Sequence, residues 1–181
     1  TARAMAYRAR QGIDPSTVSL AVVVQQLVDA EAAGVMFTAN PSTGRREEAV
    51  ISAAWGLGES VVSGSVNTDN IVVHKPDGKV VSSETADKAV MIVPAEHRTE
   101  ERPVPDEQRN QPVLSESDAA VLAAYGGRIE NHYGAPQDIE WARANGQFIV
   151  VNMKAAFRYL VADKTERVVE TVGGRVEPGL F

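Results

Sequence analysis

The sequence predicts an α+β fold with a mostly antiparallel sheet and few helices, and three observations carry that prediction. Short β-branched or alternating apolar runs recur along the chain. The gaps between paired runs hold tight-turn chemistry: Pro76-Asp77-Gly78, Asn145-Gly146 and Gly173-Gly174. One long stretch, 115–134, instead spaces its apolar residues at helical period.

The elements follow in order. The opening stretch, TARAMAYRARQGIDPS, reads as a short helix that stops at Gly12, with Pro15 beyond it, and looks like a cut end. The β-branched run at 19–24 is apolar throughout and predicts a strand covered on both faces, at the sheet centre. Residues 34–38 and 49–55 predict two further strands around the loop NPSTGRREE. GLGESVVSG breaks the strand pattern, and NIVVHKPDGKVVSSE predicts a hairpin. A strand at 89–93 precedes the polar, proline-bearing stretch 94–112, which predicts an exposed connection acting as a spacer. Ser115 and Asp118 form a capping pattern for a helix that Gly134 and Pro136 end, in which Gly126 and Gly127 are costly unless close packing uses them. DIEWA and FIVVNMK predict a pair of strands about Asn145-Gly146, and a last hairpin is expected in the tail.

Composition narrows the function classes. The 181 residues are 44% apolar and 23% charged, enough for a core, with no run of the roughly 20 apolar residues that a membrane helix needs. Eighteen basic and 24 acidic residues give a net charge of -6, the wrong sign for capture of a nucleic-acid backbone, so no nucleic-acid partner is expected. The absence of cysteine excludes disulfides, thiolate nucleophiles and cysteine zinc sites, and with no signal-peptide layout at the start a cytoplasmic location is expected. His74, His97 and His132 lack metal-ligand spacing and are assigned no chemistry.

Chemistry concentrates on Asp138, Glu140, Asn152 and Lys154, all of even number and all beside one turn. Residues two apart in a strand share a face, so the turn decides whether they meet. A two-residue loop at Asn145-Gly146 pairs residues of odd sum, sets Glu140 opposite Val151 and sends the two polar sets to opposite faces. A three-residue loop, 144–146 with Gly146 left-handed, gives even sums, sets Asp138 opposite Asn152 and gathers all four; convergence is expected on that condition. Two carboxylates, an amide oxygen and an ammonium then suit Mg and phosphate, although an alternating polar row is also what the solvent face of any half-buried hairpin presents. NPSTG and GLGE could offer backbone N–H groups and a Thr hydroxyl to phosphate, or simply punctuate turns. Gln25 and Gln26 could flank a planar base or cap a sheet edge.

Taken in order, VVVQQLVDAEAAGVMFTANPSTG, AAWGLGESVVSGSVNTDN, ADKAVMIV, PVLSESDAAVLAAYGGRIENHYGAPQDIEWA and FIVV resemble the nucleotide-binding domain shared by phosphoenolpyruvate synthase, pyruvate phosphate dikinase and rifampicin phosphotransferase. The resemblance implies an ATP-grasp fold, of which residues 1–154 look like the second subdomain; the tail 155–181 does not match it. By position, Gln26 with the backbone of Leu27 and Val28 resembles the adenine hinge, while Thr43 and Gly44 are the candidate nucleotide contacts read from the NPSTG loop itself. Glu140 resembles the acidic Mg and phosphate ligand, with Asp138 its neighbouring acid. Where the family has Gln and Arg before Pro-Ile-Thr, this chain has Asn152 and Lys154 before Ala-Ala-Phe. Asn is a methylene shorter, and Lys lacks the planar fork of Arg. The implied cofactors are ATP and Mg, with Glu140 and Asn152 as metal ligands and Glu140 and Lys154 as the catalytic pair. The implied reaction passes the ATP β-phosphoryl to a histidine on another domain. A first subdomain and that phosphohistidine domain are the expected partners, and little activity is expected from this chain alone. The alternative is a non-catalytic module of the same fold that binds or scaffolds.

Overall fold

The computed structural model describes residues 2–14, 16, 18, 22–96 and 98–156. The fold is α+β and mostly antiparallel, as the turn chemistry predicts. Helix α1 (Ala2–Arg10) ends at Gly12, whose φ of 66° is the left-handed stop expected there. Strands β1 (Ala32–Phe37), β2 (Glu48–Trp55), β3 (Asp69–His74), β4 (Lys79–Glu84), β7 (Gln137–Ala144) and β8 (Gln147–Ala155) form one sheet in the order β4-β3-β2-β1-β7-β8, every neighbouring pair antiparallel. A short helix α2 (Glu59–Ser63) follows the GLG segment, and β5 (Val90–Ala95) and β6 (Arg98–Pro103) form a separate two-stranded sheet.

Helix α4 (Glu116–Tyr133) covers one face of the large sheet. Ser115 and Asp118 cap it reciprocally and Gly134, at φ 69°, ends it, so both predicted boundaries hold. Its buried Ala119, Leu122 and Ala123 pack on Met36, Ala49, Ile51, Val73, Ile139 and Trp141. Gly126 is used as a close contact: a β-carbon there would lie 2.6 Å from Met36 Cε and 3.1 Å from Thr38 Cγ2. Gly34, mid-strand in β1, is required more strictly, since a β-carbon would meet the Ser52 carbonyl oxygen at 1.9 Å. Among the described residues no helix is long and apolar enough to cross a membrane.

Two sequence expectations are corrected. Val22, Val23 and Val24 form no strand at the sheet centre: they lack regular structure and are more than 80% exposed, while residues 19–21 lie outside the described set. An all-apolar run predicts cover on both faces, and the described residues supply none; β1 and β2 hold the centre instead. The stretch 94–112 is more than a spacer. It contains the end of β5, all of β6 and helix α3 (Asp106–Arg109). Pro94 and Pro103 are compatible with strand because both strands of a two-stranded sheet are edges, where a missing N–H need not break a ladder. The hairpin expected beyond residue 156 lies outside the described residues.

The motif segments NTDN and ADK meet through a buried ion pair. Asp69 Oδ1 accepts from Lys88 Nζ at 2.6 Å and from the Ala86 N–H at 2.8 Å, while its Oδ2 accepts from the Val113 N–H at 2.8 Å. One carboxylate thereby ties the start of β3 to the segments before β5 and before α4.

Candidate functional site

The turn between β7 and β8 has two residues. Asn145 and Gly146 both take positive φ, 52° and 72°, the backbone of a tight hairpin loop whose twist matches that of its strands. The three-residue loop is therefore corrected, and near the turn the pairs have odd sums, from Ala144↔Gln147 to Trp141↔Val150. Beyond Trp141 the register shifts. Val151 is an extra residue on β8, and the pairs continue with even sums as Glu140↔Asn152, Ile139↔Met153, Asp138↔Lys154 and Gln137↔Ala155. A bulge does what a longer loop was expected to do.

The four polar residues consequently gather on one face, with partners different from those expected. Asn152 Nδ2 donates to Glu140 Oε1 at 3.4 Å, and Lys154 Nζ lies 3.0 Å from Asp138 Oδ2. Asp138 stands opposite Lys154 rather than Asn152, because the extra residue lies in β8, whereas the longer loop would take it from β7, and the two even registers differ by two residues. Ile139 and Trp141, alternating with them, point into the α4 core.

Around the cluster the same face continues across the sheet. Glu140 is opposite Val35 and Asp138 opposite Phe37 on β1; Ser52 and Val50 follow on β2. Val35, Phe37, Val50 and Ser52 are half-buried, a partly apolar platform beside the charged row. Sequence reasoning missed this platform, although alternation along GVMFT marks Val35 and Phe37 as sharing a face.

The hinge candidates lie along the same side. Val28 is half-buried and packs with Val151 and Ile92 on a small cluster of Ala30, Ala33, Leu57 and Ala142. Gln26 and Leu27 are exposed. The glutamine engaged with the sheet is Gln25, whose Nε2 donates to the Val151 carbonyl at 3.1 Å, the edge-capping arrangement of the two considered.

Thr43 and Gly44 sit in the loop after β1, at the end of the sheet that holds Phe37 and Asp138. Asn40 Oδ1 accepts from the Ser42 and Thr43 N–H groups at 3.0 and 3.2 Å, and the Gly44 N–H bonds the Asn40 carbonyl at 2.8 Å. These amides serve the loop's own shape. Thr43 Oγ1 accepts from the Arg45 N–H at 3.3 Å, which leaves the hydroxyl proton for another acceptor. Beneath, the buried Glu48 accepts from Arg45 and Asn40, both at 2.7 Å. The Arg45 guanidinium, and after it the Asn40 amide, hold the Glu48 carboxyl below its ordinary range.

A nucleotide-binding domain is the class into which this chain falls: it belongs to the family described as the pyruvate phosphate dikinase AMP/ATP-binding domain, matched over residues 1–167. It is 47% identical over 153 residues to a probable phosphoenolpyruvate synthase of Methanothermobacter thermautotrophicus, covering 84% of this chain and 22% of that protein. The corresponding protein of Methanocaldococcus jannaschii is 47% identical over 155 residues, covering 85% of this chain and 13% of the relative. A rifampicin phosphotransferase of a Streptomyces species is 42% identical over 155 residues, with 85% and 18% covered. The chain thus spans less than a quarter of the length of each.

Proposed function

We propose that this chain is the ATP- and Mg-binding part of a dikinase of the phosphoenolpyruvate synthase or rifampicin phosphotransferase type. In this reading residues 1–154 are the second subdomain of an ATP-grasp domain. ATP lies on the sheet face opposite α4, its adenine beside Gln26, Leu27 and Val28 and its phosphates toward Glu140, Asp138, Lys154 and the Thr43-Gly44 loop. The observation that carries it is the bulged register, which puts two carboxylates, an amide and an ammonium in one row on that face in a chain of an ATP-binding family.

The donor set fits magnesium. Among the described residues no group of three or more His, Asp or Glu could hold a metal ion by itself, so any metal here would depend on nucleotide and water oxygens as well. Glu140 and Asn152 offer one carboxylate and, with the amide turned, one amide oxygen, and Mg commonly takes one or two carboxylates and completes its shell with water and phosphate oxygens. Bound there, the metal would offset phosphate charge. Asp138, 7% exposed, holds the Lys154 amine over the face, and Lys154, with a side chain 64% exposed, supplies the cation for the transferred group. In this reading a histidine on a domain outside this chain attacks the β-phosphorus and expels AMP, and water then cleaves the β–γ link, so that phosphate leaves and the β-phosphoryl stays on the histidine.

Calorimetry with Mg-ATP tests the reading on the 181-residue chain alone and mixed with a first subdomain from a related enzyme. Binding gained on mixing and weakened at least about tenfold by Glu140→Ala supports it, a charge-assisted contact being involved. A second reading, a non-catalytic module, draws on the existing pairing of Asp138 with Lys154 and Glu140 with Asn152, and absence of binding both alone and in the mixture favours it.

A further inference from the structure

The apolar pattern of β8 requires a bulge but leaves its position open. Phe148, Val150 and Met153 all pack against the α4-side core, a spacing of two and then three, so one extra residue must fall between Val150 and Met153. That residue could be Val151 or Asn152. With Asn152 as the extra residue, Val151 would stand opposite Glu140, and Asn152 would leave the row. Met153 would keep its place opposite Ile139, and Lys154 its place opposite Asp138.

We infer that Gln25 is a positioning residue for Asn152, selecting Val151 as the bulged residue. Its side-chain amide donates to the Val151 carbonyl at 3.1 Å from a segment 126 residues away in sequence. Three residues on, Val28 packs in the same cluster as the Val151 side chain, so one short segment holds both the backbone and the side chain of the extra residue. Among the described residues β8 is the last strand of the sheet, so its outer edge is open to such a contact. The segment read as the adenine hinge thereby sets the geometry of Glu140 and Asn152 while leaving Asp138 and Lys154 alone. The nucleotide side of this inference rests on the ATP-site reading above; the register side does not.

The chain has no cysteine, so introduced pairs report register without background. Residues directly opposite in an antiparallel pair are within disulfide reach. One variant carries Glu140→Cys with Asn152→Cys, a second Asp138→Cys with Lys154→Cys, and disulfide formation is timed in each with and without Gln25→Glu. Glutamate keeps the length of glutamine and turns an acceptor toward the Val151 carbonyl. The inference expects the 140–152 disulfide to form about two- to tenfold more slowly in the Gln25→Glu background, the range that one hydrogen bond supports, with the 138–154 disulfide unchanged and Gln25→Lys restoring the rate. Equal slowing of both pairs, or of neither, overturns it. Gln25 is exposed, so replacing it leaves the core in place. In the cysteine-free chain mixed with a first subdomain, Gln25→Glu should weaken Mg-ATP binding by a similar factor and Mg-free ATP binding less. If the parent chain binds no nucleotide, the ATP-site reading fails while the disulfide result still decides the role of Gln25.

Discussion

Two aspartate–lysine pairs involve strands of the six-stranded sheet and do opposite things. Asp69 and Lys88 lie 2.6 Å apart with side chains 2% and 1% exposed. Asp138 and Lys154 lie 3.0 Å apart, yet the lysine side chain is 64% exposed. The separations are similar and the surroundings are not. The buried carboxylate is held by an ammonium and two backbone N–H groups and closed off from solvent, so it is out of reach of a ligand and acts as a tie. The exposed ammonium keeps its access to water and to whatever binds the sheet face, where a pair contributes little to stability. Burial, more than distance, separates the pair sealed in the interior from the pair whose lysine faces solvent.

Removing the inner cation should have the largest effect. Lys88→Met leaves a buried carboxylate without its counter-charge and should cost about 3–5 kcal/mol of unfolding free energy in urea titrations. A loss under about 1 kcal/mol would place both pairs in the same category and end the contrast. At the outer pair, Lys154→Met should change stability by no more than about 1 kcal/mol. It should weaken Mg-ATP binding in the mixed-subdomain titration by about tenfold, the worth of one charge-assisted hydrogen bond. A destabilisation as large as that of Lys88→Met would sink the proposed division of roles.

The smallest effect belongs to a third pair, the partly exposed His74 and Asp77, 2.7 Å apart. The His74 imidazole, and after it the Lys79 backbone N–H, lower the Asp77 carboxyl from 3.8 to about 2. Because the folded value is the lower one, this contribution to stability is complete above pH 3.8 and disappears as pH falls through about 2. His74→Ala should return the Asp77 midpoint toward 3.8 in a carboxyl NMR titration, with little change in stability at neutral pH. An unmoved midpoint would mean that the imidazole is not the cause.

The site was partly readable in advance. Asp138, Glu140, Asn152 and Lys154 share parity and flank a turn, so the question of whether they meet could be posed from sequence, and the Asn-Gly loop could be recognised by its preference for positive φ. What escaped was the bulge, because loop length alone does not fix the parity of residues several pairs from the turn. The signal was nevertheless present: Trp141 and Ile139 seek the core together with Val150 and Met153, and only an extra residue reconciles those four with a two-residue loop. The Asp69–Lys88 tie gave less warning, since a lone acid and a lone lysine 19 residues apart carry no periodicity.

By itself the sequence determined the α+β class, the antiparallel hairpins, the caps of α4 and the residue types of the charged row, because each depends on contacts a few residues apart or on a repeat of two or 3.6. Tertiary structure alone decided which residue bulges, which lysine is buried, and that residues 22–24 stay outside the sheet. Those outcomes depend on what distant segments place against a strand: Gln25 reaching β8, Lys88 reaching β3, and no described neighbour covering the valines. Local pattern states what a segment needs; the rest of the chain decides whether it is met.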